Sequence, residues 1–132
     1  MRHRLPRLSA ALVLALAFPA CATHRRPTPL ASVPVGTVQE GIASWYGPEY
    51  DGRRTASGER FDQDDLTAAH PTWPFGTRVR VTLLSTGKNV VVRINDRFGG
   101  HKGRIVDLSR GAARRIGLIG PGSGRVRLEV VG

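Results

Sequence analysis

The sequence predicts an all-β fold, a small closed β-barrel carrying one short helix. Three observations lead there. Beyond residue 37 the apolar residues recur with period two in several separate stretches, the pattern of strands with one buried and one wet face. Only residues 109–116 carry helix start and stop signals. The connecting segments are long and rich in Gly, Pro, Asp and Thr, and short strands with such loops in about 95 residues close most economically as a barrel.

Taken in order, the chain opens with Arg2, Arg4 and Arg7 and then an uncharged run, Leu8 to Phe18, rich in Ala and Leu. This is the form of a secretory signal peptide, and the run is shorter than the roughly 20 apolar residues that cross a bilayer. Cys21, the single cysteine, follows closely. A lone thiol in an oxidising compartment invites modification, so we expect a lipoprotein-type signal over residues 1–20, cleavage before Cys21 and a lipid on its sulfur. Ordinary cleavage after Ala22 is the alternative. Because Ala22 and Thr23 place no Asp after the cysteine, the expected address is the outer membrane, facing the periplasm.

Residues 21–37 read as a tether, with Pro27, Pro29 and Pro34, the basic pair Arg25 and Arg26, and no hydrophobic period. Extended at ~3.1 Å per residue, the stretch from Ala22 to Gly36 would reach on the order of 45 Å, enough to hold a domain away from a membrane.

The domain, residues 38–132, begins with a strand from Glu40 to Tyr46. Residues 47–76 follow as a long segment of weak periodicity, which in so small a domain is functional or conceals structure. Arg78 to Leu83 alternates charged and apolar residues, and Asn89 to Ile94 is β-branched. Ser85-Thr86-Gly87-Lys88 joins them as a hairpin. Arg104 to Asp107 is a further short strand. Ser109 can cap a helix to Ile116, which Gly117 stops, and Arg125 to Val130 alternates again.

The formal charge is +10, and removing residues 1–20, with three Arg and no acid, leaves 17 basic residues against 10 acids, or +7. A positive surface favours polyanions, which for an exported chain means cell-wall polymer or anionic lipid. The basic residues alternate with apolar ones along strands, as on a solvated sheet face, and no nucleic-acid module is visible, so no nucleic-acid partner is expected. His70 and His101 share no ligand spacing, and there is neither a phosphate-cradling loop nor a serine-triad signature. No metal or cofactor is expected.

Three stretches hold the candidate chemistry: Thr55-Ala56-Ser57-Gly58-Glu59, Leu66-Thr67-Ala68-Ala69-His70-Pro71 and Arg93-Ile94-Asn95-Asp96-Arg97. They supply Glu59, His70 and Asp96, two carboxylates and an imidazole, a set suited to proton transfer at a sugar bond. Structural readings stand beside this one. Asp96 between Arg93 and Arg97 can be a strand-end ion pair, Glu59 an exposed turn acid, and His70 a turn residue bonded to backbone. Asp107, just before the helix, reads as a structural acid at a helix N-terminus. Trp45, Tyr46, Trp73 and Phe75 offer rings for sugars or for the core.

From Gly41 to Val131 the sequence resembles the rare lipoprotein A family of bacterial lytic transglycosylases. The resemblance is carried by Ala43-Ser44-Trp45-Tyr46-Gly47, Arg54 to Glu59, Leu66 to Pro71, Val90 to Arg97 and Arg104 to Ser109. It implies a six-stranded double-psi β-barrel, the fold of barwin, expansins and some endoglucanases. It also implies cleavage of the β-1,4 bond between N-acetylmuramic acid and N-acetylglucosamine in peptidoglycan, with preference for strands stripped of stem peptides.

On these matches the catalytic positions fall on Asp96, Glu59 and His70, and Trp45, Tyr46 and Arg97 are expected to meet the glycan. Asp96 is assigned to protonate the leaving oxygen and then accept a proton from the C6 hydroxyl that attacks the anomeric carbon. It must hold its proton at the outset, which burial or a neighbouring carboxylate favours. Glu59 would keep it protonated or steady the oxocarbenium-like charge, and His70 would orient one of them or bind the sugar.

Two departures from the family pattern stand out. The usual Gly-Pro after Asn-Asp-Arg is replaced by Phe98-Gly99-Gly100-His101-Lys102-Gly103, so the lip beside Asp96 should differ in shape and grip. No peptidoglycan-binding repeat follows the last strand, so recruitment by one is not expected. A monomer is expected. The rival readings are an expansin-like module that binds glycan without cutting it, and a hydrolase in which water replaces the C6 hydroxyl.

Overall fold

The computed structural model describes residues 31–101 and 103–132. The expected signal peptide, Cys21 and the expected tether up to residue 30 lie outside the described residues.

Six strands form one closed barrel in the order β1-β5-β2-β4-β3-β6. They are β1 (Val38–Tyr46), β2 (Thr67–Ala69), β3 (Arg78–Leu83), β4 (Asn89–Asp96), β5 (Arg104–Ser109) and β6 (Ser123–Val130), with a single helix α1 (Arg110–Ile116) between the last two. β1–β5 and β2–β4 run parallel. The remaining neighbours are antiparallel.

Alternation builds the interior. In β3, Val79, Val81 and Leu83 point inward while Arg78 and Arg80 stay in water, and β4 answers with Val90, Val92 and Ile94. With Val106, Leu108, Val126 and Leu128 these fill the barrel, each contributing about 1.5–3 kcal/mol by leaving water. The helix follows its signals. Ser109 Oγ accepts the Ala112 N–H at 3.2 Å, Ala112, Ala113 and Ile116 turn onto the barrel, and Gly117, at φ 77°, ends it in the left-handed region. Gly111 sits so close to the loop below that a Cβ there would lie 2.5 Å from the Asp64 carbonyl oxygen, so only glycine lets the helix seat.

The structure differs from the sequence expectation chiefly in residues 47–76. That segment contains a 3₁₀ turn (Pro48–Tyr50), an isolated bridge between Arg54 and Arg60, and β2. β2 is three residues long and buried throughout, so it shows no alternation to read. β4 extends to Asp96 and β5 to Ser109, each two residues beyond the sequence reading. Residues just before β1 are laid along the barrel: the Gly36 N–H donates to the Val130 carbonyl at 2.8 Å, and Val33 packs against the core.

Candidate active site

The site forms where four strands bring their ends together. Ala69 of β2 pairs with Asp96 of β4 on one side and with Asp107 of β5 on the other, while Ser44 of β1 pairs with Asp107. The register slips between Ala68 and Ala69, whose partners are Ile94 and Asp96, so Asn95 is the extra residue of a bulge. Such a bulge re-aims the strand end. Asn95 is buried, and Asp96 lines a pocket of about 170 Å³.

Three polar groups hold the Asp96 carboxylate. Oδ1 accepts the Ala56 N–H and the Arg97 N–H, both at 2.9 Å, and Oδ2 accepts the Tyr46 hydroxyl at 3.4 Å. The ion pair with Arg93 or Arg97 that sequence proximity suggests is not formed. Arg93 turns to Glu59, and the Arg97 guanidinium donates to the carbonyls of Trp73 (2.7 Å) and His70 (3.2 Å) while lying 4.1 Å over the Phe75 ring.

Tyr46 stacks on Phe61 at 4.5 Å and meets the edge of Tyr50 at 5.7 Å. Burial first, then the negative charge of Asp96, pushes its hydroxyl far above the usual tyrosine range, so it stays protonated and can keep donating. Tyr50 and Phe98 complete the aromatic part of the pocket wall.

Asp107 also lines this pocket, which the sequence reading missed. Ser109, not Asp107, caps the helix, and Asp107 lies on β5 between the inward Val106 and Leu108, with its carboxylate gripped by the Ser44 hydroxyl and the Arg104 guanidinium. The signal was present: Asp107 already ended the expected Arg104 strand, and alternation puts it on the face opposite Val106 and Leu108. Arg104 in turn lies 5.4 Å from the Phe98 ring, so the altered segment after Arg97 reaches this second carboxylate through one aromatic contact.

Glu59 is not among the residues that line the pocket. Its carboxylate takes Arg93 Nη1 at 2.8 and 3.1 Å and the Asn95 amide, and these, the Asn95 hydrogen bond foremost, hold it below the usual carboxylate range. His70 is 2% exposed, and its ring stacks on Trp73 at 4.2 Å. Nδ1 accepts the Thr72 and Trp73 N–H groups at 3.1 and 2.9 Å, so the proton sits on Nε2, which donates to Gln39 Oε1 at 2.9 Å. Burial, with the charge of Arg97 as the lesser cause, pushes the imidazole down to about 4. The tie from His70 to Asp96 runs through the backbone, from its N–H to the Asp96 carbonyl at 3.1 Å. Trp45 packs against the core and beneath Gly47, whereas Tyr46 and Arg97 line the pocket.

The pocket therefore combines a carboxyl group held by two amides and a phenol, a second carboxylate held by a cation, and exposed aromatic surface. Such a set can give up a proton and take it back beside a bound sugar. Among the described residues no group of three or more His, Cys, Asp or Glu is placed to hold a metal ion.

The lytic transglycolase family matches residues 38–128, the whole barrel except the last two residues of β6. The chain belongs to that family. Among curated relatives of the chain, a probable endolytic peptidoglycan transglycosylase RlpA of Synechocystis is 52% identical over 98% of the chain. The endolytic peptidoglycan transglycosylase RlpA of Campylobacter jejuni is 50% identical over 76% of it. The chain spans 40% and 36% of the length of these two relatives. Two solved structures share the double-psi β-barrel. A Streptomyces papain inhibitor superposes with TM-score 0.63 at 21% identity, covering 76% of this chain and all of its own, 100%. A Clavibacter michiganensis expansin, solved as a mutant with cellohexaose, gives 0.59 at 21%, covering 73% of this chain and 51% of its own. At such identity these two establish the fold alone.

Proposed function

We propose that this domain is an endolytic peptidoglycan transglycosylase, which cuts the β-1,4 bond between N-acetylmuramic acid and N-acetylglucosamine and leaves 1,6-anhydro-muramyl ends. The observation that carries the reading is Asp96: the carboxyl group at the end of β4 is held at the pocket by the Ala56 and Arg97 amides and faces the Tyr46 hydroxyl. Family membership supplies the reaction class.

In this mechanism Asp96 enters the reaction protonated on Oδ2, with the Tyr46 hydroxyl turned to accept from it. It gives that proton to the glycosidic oxygen as the bond to the muramyl C1 breaks, freeing the 4-hydroxyl of the glucosamine. The resulting carboxylate takes the proton from the C6 hydroxyl while that oxygen closes on C1. One carboxyl group serves both steps and ends as it began, and no water is consumed. Tyr46 steadies the carboxylate between the two transfers. Asp107, lining the same pocket, offers negative charge to the oxocarbenium-like C1. In this reading the sugar runs along Tyr46, Tyr50, Arg97 and Phe98, which line the pocket, whereas Trp45 packs against the core.

Products test the reading. Mass spectrometry of purified glycan after incubation should show anhydro ends. Reducing ends carrying an added water would instead establish a hydrolase, and binding without cleavage an expansin-like module.

The proposal extends to place. With residues 1–20 removed and a lipid on Cys21, the domain would work as a monomer on the periplasmic side of the outer membrane, its tether reaching into the wall. Intact mass of the exported protein decides this: an acylated chain beginning at Cys21 supports it, and an unmodified chain beginning at Thr23 overturns it.

A further inference from the structure

Glu59 is not among the residues that line the pocket, and the hydrogen bonds around it point to a different task. The turn Thr55 to Glu59 closes on itself: the Thr55 N–H and its hydroxyl both reach the Glu59 carbonyl, at 2.8 and 3.0 Å, and the Gly58 N–H reaches the Thr55 carbonyl at 2.9 Å. This compact turn is laid across the end of β4. Its Ser57 N–H donates to the Asn95 carbonyl at 3.2 Å, and its Ala56 N–H donates to Asp96 Oδ1 at 2.9 Å.

The Glu59 side chain fastens the other end of the turn to the same strand, through the Asn95 amide and through Arg93 at 2.8 and 3.1 Å. Arg93, Asn95 and Asp96 are near neighbours on β4, so the clamp and the Ala56 amide act on one short stretch. With Ala56 and Arg97 both on Oδ1, the carboxyl plane is fixed and Oδ2 is left toward Tyr46. These side-chain bonds add to the Ser57 and Ala56 backbone ties and anchor the far end of the turn to β4.

We propose that Glu59 is a positioning residue: it clamps the Thr55–Glu59 turn onto β4 so that the Ala56 N–H holds Asp96 in the reactive orientation, and it exchanges no proton with the substrate. This rests on the transglycosylase reading for its catalytic arm only. The structural arm needs no substrate.

Two variants of the full chain separate the roles. Glu59→Gln keeps an oxygen that accepts from Asn95 and Arg93 but has no proton to cycle, whereas Glu59→Ala loses the clamp. Positioning predicts that Glu59→Gln keeps most of the turnover, while Glu59→Ala loses up to ~10²-fold in kcat with KM little changed, the scale of a misplaced catalytic group. Asn95→Ala should mimic Glu59→Ala, and the double variant should be no worse than either alone, because both break one clamp.

Hydrogen exchange of the Ala56 amide, read by NMR without substrate, should accelerate in Glu59→Ala and Asn95→Ala and stay slow in Glu59→Gln. If Glu59→Ala does not fold, the Glu59→Gln and Asn95→Ala measurements carry the same contrast. Equal loss of turnover in Glu59→Gln and Glu59→Ala, with Ala56 still protected in the former, would overturn the proposal and make Glu59 a proton carrier. An Ala56 amide equally protected in the Glu59→Ala and Asn95→Ala variants would overturn the clamp. Absence of anhydro ends with the wild-type chain would count against the transglycosylase reading and leave the exchange result standing.

Discussion

The corner at His70 and the pocket at Asp96 are adjacent, joined by one backbone hydrogen bond across β2 and β4, yet their polar groups are in opposite states. At the corner every imidazole valence is engaged: two amides point at Nδ1, Gln39 accepts from Nε2, and Trp73 covers a face. At the pocket, Oδ2 of Asp96 has a single long contact and lies beside open space. Both residues come from motif-like stretches of similar appearance. What distinguishes them is the number of bonds already satisfied, because a saturated group stabilises the fold and an under-bonded one remains available for a ligand.

Substitution at Asp96 should break this contrast most visibly. Asp96→Asn keeps the shape and the Ala56 contact but cannot cycle a proton, so kcat should fall at least ~10²-fold while the melting temperature barely moves. Full activity in that variant, measured on purified glycan, would remove Asp96 from the chemistry.

The corner should respond in stability and pH instead. Its imidazole is depressed from 6.5 to about 4, so between those values the unfolded chain holds a proton that the folded chain lacks. Stability is therefore full above about pH 6.5 and declines as pH falls toward 4, by on the order of 3 kcal/mol in all. Urea unfolding at pH 7 and pH 4.5 should show this component of the slope, and His70→Gln should be less stable at pH 7 but lack that component. An unchanged slope in the variant would mean that other groups carry the acid response.

Asp107 sharpens the comparison from the pocket side. Asp107→Asn retains the Ser44 contact but removes a carboxylate charge, paired with Arg104, from the pocket wall, and on the proposed mechanism turnover should fall roughly tenfold, equivalent to about 1.4 kcal/mol of transition-state stabilisation. The mildest effect is expected at Tyr50, 44% exposed at the rim. Tyr50→Ala should raise KM by about fivefold with kcat held, since a stacked ring contributes about 1 kcal/mol. A fall in kcat instead would place Tyr50 among the groups that orient the reacting bond.

The legible parts of the fold were those whose neighbours in sequence are also neighbours in space. The alternation of Arg78 to Leu83, the Ser85 to Lys88 hairpin, and the Ser109 and Gly117 helix ends each follow from local chemistry, and each stands where the sequence placed it. β2 did not, because Thr67, Ala68 and Ala69 become a strand only by lying between β4 and β5, which the chain reaches some 25 and 40 residues later.

The site divides the same way. Asp96 and Tyr46 were readable as polar or aromatic residues at strand ends and do meet in the pocket. That Asp107 joins them depends on the β5–β2 pairing, and that Glu59 faces Asn95 and Arg93 depends on how the Thr55 turn lies across β4. Neither is a property of the local segment.

The antiparallel zipper of β1 against β6, from Val38 opposite Glu129 to Ser44 opposite Ser123, makes the first and last strands of the domain each other's neighbours. The barrel can close only after its final strand exists, a search across nearly the full length of the domain, which makes folding slow relative to a helical protein of this size. β1 also carries Tyr46 and Ser44, so a chain lacking β6 has neither a closed wall nor a fixed partner for the carboxylates. Synthesis itself thus sets the order of events: a fragment still lacking β6 cannot hold the Asp96 pocket, and the site comes into being as a whole when the ring is sealed.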